Sequence, residues 1–113
     1  MLPLPSPVLL LDVDGVLNPD KHPRAVIPPG FTKHRLRPGG ERYKVYLSEG
    51  HGPRLLSTGA DLVWATTWEH HANHLISPRV GLPQDLPVIE WDRSGQSRDH
   101  GAFWKTPQVL AWL

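Results

Sequence analysis

Residues 8–20 read Val8-Leu9-Leu10-Leu11-Asp12-Val13-Asp14-Gly15-Val16-Leu17-Asn18-Pro19-Asp20, and this stretch decides the fold. Four consecutive apolar residues lead into Asp12, and a Gly and an Asn-Pro pair end the run. An unbroken apolar run of this kind predicts a strand buried on both faces, and therefore a parallel sheet. Two carboxylates at its C-terminal end are out of place in a plain core, because burying an unpaired charge is costly. The carboxyl end of a strand in an open α/β sheet is where ligands bind. At spacing two on an extended segment, Asp12 and Asp14 project to one side. Such a pair can share a divalent cation, or divide the work of nucleophile and acid/base. Gly15 removes a Cβ where a phosphate or metal would approach the backbone. The plain alternative is a strand that ends in a solvated Asp-Gly turn.

The Asp12-Val13-Asp14-Gly15-Val16-Leu17 run resembles the first signature of the haloacid dehalogenase (HAD) superfamily, in the form typical of its phosphohydrolases. The resemblance implies that Asp12 attacks phosphorus and forms an aspartyl-phosphate. It implies that Asp14 protonates the leaving group and then activates water. It also implies a magnesium ion (Mg2+) held by Asp12, by the backbone carbonyl of Asp14 and by a later acidic motif.

Composition narrows the alternatives. With 113 residues there is room for one small domain, residues 1–113, and no second core. The net charge is +1, so bulk electrostatics announce neither a nucleic-acid nor a membrane partner. The absence of cysteine excludes a disulfide scaffold, a thiol nucleophile and a zinc-thiolate site. No basic leader and no long apolar span are present, which sets the expectation of a soluble, cytoplasmic protein. The 13 prolines and 10 glycines predict many turns and short elements.

Residues 18–50 form a polar, turn-rich insertion, with Pro28-Pro29-Gly30 and Pro38-Gly39-Gly40 as punctuation. Phe31-Thr32 and Tyr43–Leu47 are candidate strands, so the insertion is read as a β-hairpin flap over the end of the first strand. It carries Lys21, Arg24, Lys33, Arg35, Arg37, Arg42 and Lys44, more than half of the twelve Lys and Arg residues. That concentration suggests a positive rim for a small phosphorylated substrate, or simply a solvated loop. Nucleic acid is not the expected partner, because few aromatics stand among these cations; it remains a weaker alternative through Tyr43 and Tyr46.

His51 to Gly59 is a candidate helix, with Leu55-Leu56 toward the sheet. The second strand runs from Asp61 to Thr66. The family's second motif is a strand ending in a hydroxyl that bonds the phosphoryl group, which points to Thr66, with Thr67 as the alternative. Glu69 to Ser77 predicts a helix capped by Thr67 and stopped by Pro78. His70 and His74 share a face there, but without a third ligand they are read as surface histidines, while Trp68, Glu69 and His70 can line the cleft rim by following the second strand. Val88–Trp91 is the third short strand. Thr106-Pro107 starts the last helix, with a hydroxyl cap and Pro at the first helical position. Lys105 precedes it and matches the family's third motif, a lysine that neutralises the nucleophile and the phosphoryl group.

The overall expectation is an α/β, Rossmann-like HAD core with a short parallel sheet of three strands, flanking helices and a β-hairpin flap. Catalytic roles fall to Asp12, Asp14, Thr66 and Lys105; Gly15, Thr66, Thr67 and Lys105 bind substrate; Asp12 and Asp14 hold Mg2+. The sequence reaches Leu113 without a strand ending in acids after the last helix, so the fourth motif is expected to be missing from it. Loss of that strand would expose the first strand as an edge for a homodimer. The competing reading is a catalytically incomplete module that binds phosphate or a protein.

Overall fold

The computed structural model describes residues 7–19, 29–92 and 106–112. Strand β1 (Val8–Leu11) pairs in parallel with β4 (Asp61–Trp64), Val8 facing Asp61 and Leu11 facing Trp64. Between them run the antiparallel hairpin of β2 (Thr32–Leu36) and β3 (Tyr43–Leu47) and the helix α1 (His51–Leu56). After β4 come a π-helical segment (Ala72–Ile76) and the short helix α2 (Ser77–Val80), and α3 (Thr106–Trp112) is last.

The parallel pair packs on both faces toward its carboxyl end, while Val8 and Asp61 at its start are exposed and Leu9 and Leu10 are half-buried. On one face Leu11, Leu62 and Trp64 join Leu36, Val45 and Leu47 of the hairpin, and Ala72, Ile76 and Val80 of the helical segment. On the other, Val63 packs with Ile89 and Trp91, with Leu10, Ala65 and Val109 of α3 beside them. Fully burying each such aliphatic side chain contributes about 1.5–3 kcal/mol. Among the described residues, no helix is long and apolar enough to cross a membrane.

Several expectations change in detail. Val88–Trp91 does not form a full strand; Val88 makes one parallel bridge to Trp64. The Trp64 N–H donates to the Pro87 carbonyl, and the Ile89 N–H donates to the Trp64 carbonyl. Pro87 has no N–H to extend that ladder. Strand β2 is longer than Phe31-Thr32, because pairing with β3 carries the charged residues Lys33 and Arg35 into it. Leu55 packs on the core, but Leu56 is exposed. Pro78 does not stop the helix. The backbone widens over Ala72–Ile76, where the Ser77 N–H reaches back to the Ala72 carbonyl, and Pro78 sits in the first turn of α2. A proline in that first turn lacks only an N–H that would have no helical partner. Gly81, at φ 79°, ends α2 in the left-handed conformation.

Gly52 shows how tightly α1 meets α2. A Cβ at this position would collide with the backbone carbonyls of Gly81 and Val80. Gly52→Ala is therefore expected to destabilise the domain by about 2 kcal/mol or more in thermal denaturation. Gly39→Ala, where a Cβ meets nothing within 4 Å, should leave the transition almost unchanged.

Candidate active site

The parallel register brings the two strand ends together. The ladder continues one step past β4, with the Ala65 N–H donating to the Leu11 carbonyl at 2.7 Å. In this register Asp12 falls opposite Ala65, and Thr66 follows one residue later at the same edge of the sheet. The extended conformation does not persist past Asp12. Residues 13–17 form a tight turn in which the Asn18 and Val16 N–H groups both reach the Val13 carbonyl. Gly15 sits in it at φ 79°, donating to the Asn18 carbonyl. Asp12 therefore ends the strand and Asp14 sits in a turn, so the two do not share the extended segment that the sequence suggested.

The two carboxylates are held differently. Asp12 is half-buried, and its Oδ1 accepts the Val13 N–H at 2.8 Å. Asp14 is exposed, with both oxygens engaged: Oδ1 by the Asn18 amide at 3.1 Å and Oδ2 by the Trp68 indole N–H at 3.2 Å. Asn18 also accepts the Tyr46 backbone N–H through its Oδ1 at 2.8 Å. One amide side chain therefore ties the acid loop to β3 of the hairpin. Trp68, 54 positions further along, ties it to the loop after β4.

Thr66 is fully buried, and its Oγ1 accepts the Trp68 N–H at 3.2 Å. It is Thr66, not Thr67, that caps this turn; Thr67 is exposed. The Trp91 indole N–H donates to the Thr66 carbonyl at 2.9 Å, fixing the strand end from the opposite face. Glu69 follows at φ 49°, in a left-handed conformation that costs a non-glycine residue on the order of 1 kcal/mol.

A cleft of about 560 Å³ opens between the hairpin and this loop. Asp14, Thr67, Trp68, Glu69 and Tyr43 are among its walls. Its volume lies within the range of small-molecule pockets, about 300–1,000 Å³. The Tyr43 and Trp68 rings meet at 5.8 Å, and the Tyr43 hydroxyl donates to Glu41 at 3.0 Å. That hydrogen bond to Glu41, helped by the carboxylate's charge, raises the Tyr43 phenol above its ordinary pKa and keeps it protonated. None of Lys33, Arg35, Arg37, Arg42 or Lys44 lines the cleft. Among the described residues, the expected positive rim contributes nothing to these walls, where Asp14, Glu41 and Glu69 give acidic character.

Lys105, Lys21 and Arg24 lie outside the described residues. His70 reaches Glu90 at 2.6 Å on the surface, and among the described residues no group of three or more His, Cys, Asp or Glu could hold a metal ion. Reading the sequence missed Asn18, which looked like a turn residue, and the role of Trp68. The Asn18 bond to Asp14 is local, but the bonds from Tyr46 to Asn18 and from Trp68 to Asp14 join distant segments, which no local pattern marks.

The fold, with an acid pair after the first strand and hydroxyls after the next parallel one, is that of a HAD-type hydrolase domain. The chain belongs to the family described as "HAD domain in Swiss Army Knife RNA repair proteins", whose family model matches residues 8–113. No curated protein and no solved structure matches the chain.

Asn18→Ala should lower stability by about 1–3 kcal/mol in denaturant titration, because it strips the Tyr46 N–H and Asp14 of a shared partner. Trp68→Phe, which keeps the ring but loses the indole donor to Asp14, should cost about 0.5–1.5 kcal/mol by the same measurement.

Proposed function

We propose that this domain is a magnesium-dependent phosphohydrolase that works through an aspartyl-phosphate on Asp12. The observation that carries the reading is the indole bond from Trp68 to Asp14. It draws the acids that follow β1 onto the hydroxyl loop that follows β4. Family membership supports the hydrolase class.

In the proposed reaction a carboxylate oxygen of Asp12 attacks phosphorus, and the P–O bond to the leaving alkoxide breaks. Asp14 gives that oxygen its proton. Asp14 then takes a proton from water as the water oxygen attacks the same phosphorus. The acyl-phosphate bond breaks, which frees Asp12 and inorganic phosphate. The Asn18 and Trp68 bonds hold Asp14 at the cleft wall throughout, so little reorganisation accompanies proton transfer. Thr66 and Thr67 supply hydroxyl donors at the end of β4, Thr67 directly from the cleft wall. Lys105 is proposed to offset charge on the phosphoryl group.

The donor set fits magnesium sparingly. Asp12 Oδ2 and the Asp14 carbonyl are hard oxygens of the kind it prefers, and it is commonly held by one or two carboxylates together with substrate phosphate and water. Bound there, the ion would neutralise the phosphate dianion against the carboxylates and act as a Lewis acid at the phosphoryl oxygens. The acidic walls make that neutralisation necessary, since the phosphate meets Asp14, Glu41 and Glu69.

The family's RNA repair setting points to a phosphate monoester at an RNA end as the substrate. The sparse metal donor set favours a second reading, a non-catalytic phosphate-binding module. Release of inorganic phosphate from an RNA oligonucleotide with a terminal phosphate decides between them. Turnover should require magnesium, stop with a chelator, and fall about a thousandfold or more in Asp12→Asn. Binding without turnover at any magnesium concentration would leave the module reading standing.

A further inference from the structure

The cations of the hairpin need an account, because they do not line the cleft. The register of β2 with β3 sets their positions. Leu36, Val45 and Leu47 are buried in the core, so residues 32, 34 and 36, with their partners 47, 45 and 43, form the inner face. Lys33 and Arg35, with their partners Tyr46 and Lys44, occupy the outer face. That face carries three cations and a tyrosine, and neither strand contains an acid. Lys33, Arg35 and Lys44 are exposed.

Arg35 stands directly opposite Lys44. Like charges at facing positions destabilise a sheet, and the fold gains nothing visible from this pair. The cost disappears if an anion lies across both. A second feature lies beside them. A recess of about 370 Å³ is lined by Lys33, His34, Arg35, Leu36 and Arg79, again with no carboxylate. Arg79 is fixed by one guanidinium N–H, which donates to the Leu75 carbonyl at 2.8 Å. A guanidinium has five N–H donors, so others remain for a ligand. Burial, reinforced by the charge of Arg79, lowers the pKa of His34 and favours its neutral form at this wall.

We propose that the outer face of the β2–β3 hairpin and its neighbouring recess form a track for the phosphodiester backbone of single-stranded RNA. Lys33, Arg35, Lys44 and Arg79 meet the phosphates, and Tyr46 offers a base a stacking surface. Charge complementarity selects a polyanion, and the tyrosine among the cations selects nucleic acid over an acidic protein. The track extends the proposed function, and rests on it for the RNA end in the cleft, but binding here requires no turnover.

The test is fluorescence anisotropy with a short labelled RNA that has no terminal phosphate, titrated at several salt concentrations. Wild type should bind, and log affinity should fall linearly with log salt. The doubly substituted Lys33→Gln/Arg35→Gln protein and Arg79→Gln should each bind at least tenfold more weakly at moderate salt. The salt slope should flatten by roughly 0.7 for each phosphate that is no longer neutralised. Hydrolysis of a small generic phosphate monoester should be unchanged in all of them. Equal binding and equal slopes in wild type and variants would overturn the track, as would displacement of the RNA by polyglutamate at matched charge. RNA binding that depends on these cations, in a protein that hydrolyses no phosphate ester, would keep the track and remove the phosphohydrolase reading instead.

Discussion

The parallel pairing of β1 with β4 is the constraint on which the rest depends. Hydrogen bonds between the two strands, continued by the Ala65 N–H on the Leu11 carbonyl, force their carboxyl ends to one edge. Asp12 and Thr66 come from segments more than fifty positions apart. No local preference could bring them to one edge of the sheet; the ladder does so. The packing of Leu11, Trp64 and Ile76 on one side and Val63 with Ile89 on the other makes a register slip costly. A slip of one residue would turn every one of those side chains to the wrong face.

A small polar network converts that geometry into a site. Asn18 donates to Asp14 and accepts from the Tyr46 N–H, so the acid loop and the hairpin are joined through one side chain. Trp68 donates to Asp14 from the loop after β4 while packing against Tyr43. The Trp68 bond belongs at once to the walls of the cleft and to the placement of an acid. Displacing the hairpin would therefore disturb the carboxylate as well as substrate access. The left-handed backbone at Glu69 is part of the same turn, and its conformational cost is absorbed by the buried Thr66 and Trp68 around it.

Among the described residues, charge is segregated. Acidic side chains line the cleft, and basic ones occupy the outer face of the hairpin and the recess beside Arg79. A near-neutral net charge conceals this separation. For a phosphorylated polymer the arrangement is coherent. Neutralisation inside the cleft calls for a cation of high charge density, while the backbone outside it can be held by long, solvated side chains.

Much of the fold was legible in the sequence. The apolar run into Asp12-Val13-Asp14-Gly15 and the second run into Thr66-Thr67 identified two buried strands with polar groups at their ends, because only a doubly covered parallel strand tolerates that pattern. The hairpin was visible in Tyr43–Leu47 and at the start of β2, though the rest of β2 was not, since its charged residues become a strand only by pairing. The proline at position 78 pointed to a helix end, but in the structure the helix passes it by widening. What the sequence determined alone was the class of fold and the identity of the acids, which follow from hydrophobic pattern and local backbone chemistry. Tertiary structure alone decided which side chains hold Asp14, and that the described hairpin cations do not line the cleft. Both depend on register and on contacts between distant segments, and no periodicity along the chain encodes those.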